Sequence, residues 1–364
     1  MMHNFSPGPG ILPAPVIAQI RADLPEFGAT GTSILEISHR TPPFEAVIDE
    51  AERNLRSLLE IPTSHRVLFL QGGASLQFAM VPYNFLRRSA DYVVAGTWGK
   101  KAWEDARRSP PVDGAVGARV AWSGADEGWS RMPSDSDLSL DPDADYLHFT
   151  SNETIEGVQT AHVPATGAVP LVCDASSDFL SRPVDLARYG LYYAGAQKNA
   201  GAAGVTVAIV SDAMLERARK NGLAMLSYPT QVAGKSMHNT PPCFAVYVVM
   251  LVTRWLRDAV GGLAAMADRN SLKAARLYAA IDGSGGFYRG CARPHHRSLM
   301  NATFRLPTPE LEAAFFNESE TLGFVGLRGH RAFGGVRASL YNALPLSSVD
   351  ALIEFMAEFA RTRG

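Results

Sequence analysis

The sequence predicts an α/β fold, with a large domain built on a mostly parallel sheet flanked by helices and a smaller α+β domain at the C-terminus. Short apolar runs alternate with segments of helical spacing between Val67 and Val210, a pattern typical of a doubly wound parallel sheet. After Gly283-Ser284-Gly285-Gly286 this alternation stops. At 364 residues the chain is also too long for one compact core and fits two domains.

The first half of the chain supplies the strands of the predicted large domain. Apolar residues at helical spacing predict a helix over 43–59, which Pro62 closes. A second predicted helix covers 76–86, and a third carries Trp103. The buried strands are predicted at Val67–Leu70, Tyr92–Ala95, Tyr146–Phe149, Leu171–Cys173, Leu191–Ala194 and Val205–Val210.

The last third of the chain predicts a different architecture. Long helices are expected over 241–257 and 261–281, an antiparallel sheet from 298–305 and 335–341, and a closing helix over 349–361. We place the domain boundary near residue 257, so that the large domain spans 14–257. The small domain then spans 258–364 and includes an extended, turn-rich N-terminal arm, residues 1–13.

Composition and charge exclude several classes of protein. The formal net charge of −2 gives no reason to expect nucleic acid or an anionic membrane as a partner. Cys173, Cys243 and Cys291 are far apart, which favours neither a disulfide framework nor a zinc site. No apolar run approaches the ~18 residues of a spanning helix, and the N-terminus lacks a signal-peptide pattern. We therefore expect a cytoplasmic enzyme without a metal.

Lys198 and Asp174 are the residues that best indicate a chemistry. Lys198 lies between a predicted strand and a glycine-rich turn, and Asp174 ends the apolar run Val169–Cys173. A desolvated lysine can form a Schiff base with a carbonyl cofactor. An aspartate that binds a pyridinium nitrogen is the second group that pyridoxal phosphate requires. Most single lysines are solvated surface charges, so the pair carries the hypothesis.

Three further segments fit a cofactor of this kind, although each has an ordinary structural alternative. Gly72-Gly73-Ala74-Ser75, between a strand and a helix, could bring backbone N–H groups to a phosphate or form a simple tight turn. Trp98 could stack on a pyridine ring or pack in the core. Thr154 could bond a phenolic oxygen or cap a helix.

Two separated clusters of cationic residues predict anion binding. His39-Arg40 lies near the N-terminus, while His330-Arg331 and Arg337 lie near the C-terminus. Arginine binds carboxylate and phosphate in a bidentate manner and keeps its charge at physiological pH. Each arginine alone is more often a surface residue, but two clusters in a near-neutral chain suit a substrate with two anionic ends.

Together these motifs resemble those of the phosphoserine aminotransferase family, in the class V group of fold-type I pyridoxal-phosphate enzymes. The resemblance extends over nearly the whole chain. The matching segments are Asn4–Pro9, Ser38–Arg40, Gly72–Phe78, Asn152–Gly157, Asp174–Ser177, Ser181–Pro183, Tyr193–Asn199, Asn239–Pro242 and Arg337–Asn342.

The resemblance implies a role for each candidate residue. Lys198 would carry the cofactor and shuttle a proton, and Asp174 would keep the pyridine nitrogen protonated. Arg337 would bind the α-carboxylate of the substrate. The other implied cofactor contacts are ring stacking by Trp98, hydrogen bonds from Thr154 and Gln197, and phosphate binding by Ala74 and Ser75 together with Asn239 and Thr240 of a neighbouring subunit. The implied contacts to the distal phosphate or carboxylate are His39, Arg40, His330 and Arg331.

The resemblance also implies the reaction. L-Glutamate would leave its amine on the cofactor and depart as 2-oxoglutarate, and 3-phosphohydroxypyruvate would collect the amine to become O-phospho-L-serine, a step of serine biosynthesis. Some bacterial relatives also make 4-phosphohydroxythreonine from 3-hydroxy-2-oxo-4-phosphooxybutanoate, in the synthesis of pyridoxal phosphate itself. Shared active sites imply a homodimer.

One departure and two alternatives accompany this prediction. Some family members have an arginine where this chain has Ser75, so phosphate binding here is weaker or is supplied elsewhere, with the segment His295–Arg297 as a minor candidate. A cysteine desulfurase would need Cys291 as its nucleophile, whereas an alanine–glyoxylate enzyme would not need the surplus of cations. A cofactor-binding protein without catalysis is the alternative from a different functional class.

Overall fold

The computed structural model describes residues 2–109 and 116–364 of the chain. Met1, which belongs to the predicted arm, and residues 110–115 of the predicted large domain lie outside the described residues. Ten α-helices are found in the described ranges: α1 (Ala14–Asp23), α2 (Pro42–Leu59), α3 (Gly73–Phe85), α4 (Thr97–Arg108), α5 (Asp212–Glu216), α6 (Tyr228–Ala233), α7 (Cys243–Trp255), α8 (Leu263–Asp282), α9 (Pro309–Thr321) and α10 (Leu346–Arg363).

A seven-stranded sheet forms the centre of the molecule. Its strands are β1 (His65–Gln71), β2 (Ser89–Val94), β3 (Gly117–Ser123), β4 (Leu147–Thr150), β5 (Leu171–Asp174), β6 (Leu191–Gly195) and β7 (Val205–Ser211). Their order is β1-β7-β6-β5-β4-β2-β3. Only β7 is antiparallel to its neighbours, β1 and β6. The prediction of a mostly parallel α/β sheet is confirmed.

Both faces of this sheet are covered by helices, because alternate residues of each strand point to opposite sides. In β1, Val67 and Phe69 pack into the apolar cluster that includes α2 and α7. Leu68 and Leu70 pack into the cluster on the other face, with α3 and α4. Burial on both sides explains why these strands are nearly continuous apolar runs in the sequence.

A three-stranded antiparallel sheet, β8 (Arg289–Gly290), β9 (Asn301–Arg305) and β10 (Val336–Ser339), lies in the C-terminal part of the chain. It packs with α8, α9 and α10 around a separate apolar cluster. This agrees with the predicted antiparallel sheet, although the strands are shorter than predicted. Helix α7 continues as a π-helical turn, Leu256–Val260, before α8 begins.

The N-terminal arm packs against both parts of the molecule. His3–Asn4 pairs in parallel with the short strand Phe324–Val325, and Phe5 is fully buried in the C-terminal cluster. The arm then reaches the loop after β6, where Gly10 N donates to Gln197 O at 2.7 Å. The arm is therefore fixed beside Lys198.

Several elements do not appear among the sequence predictions, including helices α5 and α6. Strand β3 is an edge strand whose side chains are mostly half-exposed, so its apolar pattern is weak. Helix α1 buries only Val16, and α9 begins with Pro309 after the N-cap Thr308. Two short strands, Asn152–Glu153 and Val158–Gln159, pair with each other beyond the end of β4. None of the described helices is long and apolar enough to cross a membrane.

Candidate active site

A cavity of about 280 Å³ lies at the carboxyl ends of β1, β5 and β6. Parallel strands place the loops that follow them at one edge of the sheet, which is the usual position of a ligand site in this architecture. Six of the residues predicted from the sequence line this cavity: Ala74, Ser75, Trp98, Asp174, Gln197 and Lys198. Sequence segments more than 120 residues apart are therefore brought to one place.

Lys198 follows β6, and its amine points to the neighbouring Asn152–Gly157 turn. Lys198 Nζ donates a hydrogen bond of 2.7 Å to Thr154 Oγ1 and lies 5.5 Å from the centre of the Trp98 ring. Burial lowers the pKa of Lys198 to about 8, although the carboxylates of Asp174 and Glu153 favour the ammonium form. A neutral, nucleophilic amine is therefore accessible close to physiological pH.

Asp174, the last residue of β5, is buried and held on one oxygen only. Its Oδ1 accepts from Ser176 N at 2.9 Å and from Ser176 Oγ at 2.6 Å. Ser176 Oγ in turn accepts from Gly195 N. No described residue donates to Oδ2. Burial raises the pKa of Asp174, while the bonds from Ser176 and the charge of Lys198 lower it. The arrangement suits a carboxylate that shares its second oxygen with a cationic N–H of a ligand.

The start of helix α3 forms the opposite wall of the cavity. The N-cap residue Gly72 has φ +92°, and no side-chain hydrogen bond caps this helix. The amides of the first turn, Gly73 to Ser75, are therefore available for an anion, which the helix dipole also favours. Gly195 faces this turn, since a Cβ on it would lie 3.5 Å from Ala74 N and narrow the cavity.

Helix α4 carries Trp98 in its first turn and Lys101 one turn later. The Trp98 ring lines the cavity, and its Nε1 is buried without a partner among the described residues. Lys101 Nζ lies 4.6 Å from the centre of the same ring. The sequence analysis missed Lys101, although the helical spacing from Trp98 was a signal that could have identified it.

Arg337 on β10 is close to this cavity. Together with Lys101 and Arg331 it forms a group of positive charges around His330. The Arg337 guanidinium is buried, its Nε has no partner among the described residues, and burial lowers its pKa. Its charge also contributes to the low pKa of Lys198. Burial lowers the pKa of His330, and the charges of Arg337, Lys101 and Arg331 lower it further. This positive potential is available for the anionic end of a ligand.

Eight of the predicted residues do not line this cavity. Four of them, Thr154, His330, Arg331 and Arg337, are described above, and the other four are His39, Arg40, Asn239 and Thr240. Arg40 is exposed and contacts His39, with 3.3 Å between Arg40 Nε and His39 Nε2. Thr240 O accepts from the side chain of Gln71 at the end of the edge strand β1. These residues lie at the surface of one chain.

Two of the three minor candidates named for phosphate binding have other partners. Arg297 makes two hydrogen bonds of 2.7 Å to Asp282, and His296 Nδ1 accepts from Met132 N. Cys291, which a desulfurase would require, does not line the cavity. Burial raises the pKa of the Cys291 thiol, opposite to the shift of a reactive cysteine.

The residues around the cavity fit pyridoxal phosphate. The open oxygen of Asp174 suits a protonated ring nitrogen, and the uncapped turn of α3 suits a phosphate. Lys198 suits the aldehyde, and Trp98 offers an aromatic surface for the ring. Ser176, missed by the sequence analysis despite its position two residues after Asp174, orients the carboxylate.

Comparisons with known proteins identify the family of this chain. The model of the class V aminotransferase family matches residues 2–352. A curated relative, "Phosphoserine aminotransferase" from Herpetosiphon aurantiacus, is 47% identical and covers 100% of this chain and 99% of its own length. The solved phosphoserine aminotransferase of Bacillus circulans subsp. alkalophilus is 48% identical, with a TM-score of 0.96 and coverage of 100% and 99%. The structure described as PLP-bound phosphoserine aminotransferase from Trichomonas vaginalis is 36% identical, with a TM-score of 0.93 and coverage of 98% and 100%.

Proposed function

The chain belongs to the class V aminotransferase family, and we propose that it is a phosphoserine aminotransferase that uses pyridoxal phosphate. The observation that carries this proposal is the meeting of Lys198, Asp174 and Trp98 around one cavity, with the buried Arg337 close enough for its charge to lower the pKa of Lys198. The reaction is the reversible exchange of an amino group between L-glutamate and 3-phosphohydroxypyruvate. The products are 2-oxoglutarate and O-phospho-L-serine.

Pyridoxal phosphate, when bound, supplies an aldehyde that condenses with amines and a ring that accepts an electron pair from Cα. Asp174 would bind the ring nitrogen and keep it protonated. The amides of Gly73 to Ser75 would bind the phosphate, and Gln197 and Thr154 would form hydrogen bonds to polar groups at the ring edge. The Trp98 ring excludes water from one face of the site. Support for these roles comes from the contacts of each group in the cavity.

Lys198 has a second role as the acid and base of the reaction. Its amine would be able to take a proton from the substrate Cα and to return one. A pKa of about 8 suits both directions near neutral pH. Thr154 Oγ1 holds the amine on the side of the cavity next to Trp98.

Both substrates have two anionic ends. Arg337 binds the α-carboxylate, and its buried position keeps Cα oriented toward Lys198. The distal phosphate or carboxylate is bound by His330 and Arg331, because both anions offer oxygens to the same donors. The Ser75 side chain carries no charge. The positive charge that binds the distal phosphate or carboxylate therefore comes from the His330 and Arg331 cluster.

We propose that the active form is a homodimer in which His39, Arg40, Asn239 and Thr240 complete the site of the neighbouring subunit. Two observations support this proposal. These residues do not line the cavity of their own chain, and the Gln71 side chain holds Thr240 beside the edge strand β1. Aminotransferase chemistry in the cytoplasm is consistent with free Cys173, Cys243 and Cys291.

We also propose the division into a large domain, 14–257, and a small domain, 258–364 with the arm 1–13. The separate apolar cluster formed by Phe5 and residues from Ala274 to Phe359 supports it. Arg337 then comes from the small domain and Lys198 from the large one, so that a relative movement of the domains would change the size of the substrate pocket.

The visible absorption spectrum of the purified, cofactor-loaded protein tests the proposed function. We expect a yellow band that bleaches when O-phospho-L-serine is added and returns with 2-oxoglutarate. A band that responds to L-glutamate or L-alanine but not to phosphoserine would refute the substrate while leaving the cofactor in place. Absence of any band after incubation with pyridoxal phosphate would refute the role of Lys198.

A further inference from the structure

Two buried glutamates, Glu153 and Glu156, lie against the start of helix α4 and have no role in the function proposed above. They belong to the Asn152–Gly157 turn, which also carries Thr154. Thr97, Trp98 and Gly99, in the first turn of α4, donate hydrogen bonds to side chains of the described residues. All of these bonds are accepted by Glu153 or Glu156. Negative charge at this end of a helix is favoured by the helix dipole.

The two carboxylates use their oxygens differently. Glu153 Oε2 accepts from Trp98 N at 2.9 Å, and Glu153 Oε1 accepts from Gly99 N at 2.8 Å. Glu156 Oε1 accepts both bonds from Thr97, while Glu156 Oε2 is buried with no partner among the described residues. Glu153 therefore needs two acceptor oxygens, whereas one oxygen is sufficient at Glu156.

The carboxylates are packed directly against the backbone that they hold. A Cβ on Gly96 would lie 2.5 Å from Glu156 Oε2 and 2.8 Å from Glu153 Cδ. A Cβ on Gly99 would lie 3.1 Å from Glu153 Oε1. Because neither glycine leaves space between backbone and carboxylate, the start of α4 cannot shift without moving Glu153.

Glu153 also links Trp98 to the reactive lysine. Its neighbour in the chain, Thr154, accepts from Lys198 Nζ at 2.7 Å. The same short turn thus holds the Trp98 backbone through residue 153 and the Lys198 amine through residue 154. A displacement of this turn would move both groups on the two sides of the cavity.

We propose that Glu153 is a positioning residue. By accepting hydrogen bonds from the amides of Trp98 and Gly99 on its two oxygens, it fixes the position of the Trp98 ring at the cavity relative to the Lys198 amine. Glu156 supports the same helix through Thr97 but does not require a second carboxylate oxygen. The inference rests on the proposed cofactor role of Trp98.

The test compares the same isosteric change at the two positions. Glu153→Gln keeps one acceptor and turns an amide NH₂ toward a backbone N–H, whereas Glu156→Gln keeps Oε1 for Thr97 and places its NH₂ at the unpartnered position. Glu104→Gln, on the exposed side of α4 where it pairs with Lys100, is the control for α4 as a whole. Each variant is made with and without Trp98→Phe, so that the difference between the two emission spectra reports Trp98 in the apoprotein.

We expect Trp98 emission to shift to longer wavelength and to become more accessible to acrylamide in Glu153→Gln alone. The Kd for pyridoxal phosphate should rise about tenfold in that variant, because the displaced Trp98 ring must return to the cavity before the cofactor can bind against it. Glu156→Gln should retain the wild-type Trp98 emission and cofactor Kd. Glu104→Gln should be indistinguishable from wild type, including in its turnover.

Equal effects of the two substitutions, or a larger effect at Glu156, would overturn the inference. If Glu153→Gln does not fold, Glu156→Gln decides alone, because a displaced Trp98 in that variant contradicts the asymmetry and a normal Trp98 supports it. The emission of the apoprotein does not depend on turnover. A wild-type protein that ignores phosphoserine would therefore refute the proposed function without touching this result.

Discussion

Lys198 Nζ and Thr154 Oγ1 are joined by a hydrogen bond of 2.7 Å, although 44 positions separate the two residues in the chain. The bond links the loop after β6 to the turn after β4. It gives the buried amine a neutral acceptor in a site where burial lowers its pKa. The surroundings of this amine therefore determine both its position and its protonation state.

Removing the amine should abolish turnover without unfolding the protein. Lys198→Ala deletes both the covalent attachment of the cofactor and a general acid–base group, which alone is worth on the order of 10²–10⁴-fold in rate. The rate of phosphoserine-dependent transamination should fall by at least that factor, while far-UV circular dichroism stays unchanged. The control is Lys100→Ala on the exposed side of α4. A Lys198→Ala variant with a near-normal rate would rule out the Schiff-base role.

The acceptor of that bond should control the protonation of Lys198. In the wild-type apoprotein, the rate of pyridoxal-phosphate uptake should rise with pH through about 8, as the ammonium loses its proton. Thr154→Val removes an acceptor that stabilises the ammonium, so the pKa of Lys198 should fall further, by about one unit. Stopped-flow absorbance across pH 6 to 10 measures this midpoint. Thr206→Val, which removes a buried hydroxyl without a partner, is the matched control and should leave the midpoint in place.

Mixing two inactive variants should restore activity if the sites are shared between subunits. Arg40→Ala should weaken phosphoserine binding more than pyridoxal-phosphate binding, and Lys198→Ala has no reactive amine. A hybrid dimer would contain one intact site, because Arg40 from the lysine variant would complete the site of its partner. Random exchange makes about half of the dimers hybrids, so about a quarter of the wild-type activity should return. No gain in activity on mixing would show that Arg40 acts within its own chain. If Arg40→Ala weakened the binding of phosphoserine and of pyridoxal phosphate equally, Arg40 would not belong to the substrate pocket.

Lys273 provides a prediction on stability that is separate from catalysis. It is buried, its Nζ donates to Leu340 O at 2.8 Å and to Tyr341 O at 2.7 Å, and burial lowers its pKa from 10.5 to about 7. Between these two pKa values the unfolded chain binds more protons than the folded one, so Lys273 makes the free energy of unfolding increase with pH from about 7.

Lys273→Met should remove this contribution to the pH dependence and take the Lys273 donor from the buried Leu340 O, at a cost of about 1–3 kcal/mol, while Tyr341 O keeps its bond from Leu344 N. Urea unfolding at pH 7 and pH 9 measures both effects. Lys220→Met, at an exposed position, is the control. An unchanged pH dependence in Lys273→Met would show that the buried amine does not titrate in this range.

Much of the fold was predictable because its signals are local. The strands that are buried on both faces, such as Val205–Ser211, are continuous apolar runs and were located to within a few residues. The edge strand Gly117–Ser123 was missed, since a half-exposed strand has no such run. That β7 runs antiparallel to β1 and β6 could not be predicted, because strand direction depends on how the connections are placed in space.

The reactive groups could be predicted from local sequence patterns. Lys198, Asp174 and the Gly72–Ser75 turn are each marked by their neighbours in the chain, because a tight turn after a buried strand needs small residues and places a side chain at the sheet edge. A lysine and an aspartate that follow buried strands were enough to indicate the cofactor, because of the chemistry of these two side chains.

How these groups are held depends on the packing of distant parts of the chain. Two lysines, Lys198 and Lys273, have a pKa lowered by burial, yet only Lys198 reaches the cavity with Asp174. Glu153 contacts the start of a helix more than 50 residues earlier in the chain. Burial and such contacts are properties of the packed chain, since desolvation and hydrogen-bond geometry exist only once distant segments meet. Local sequence therefore predicts which groups react, and the packing sets their protonation and their orientation.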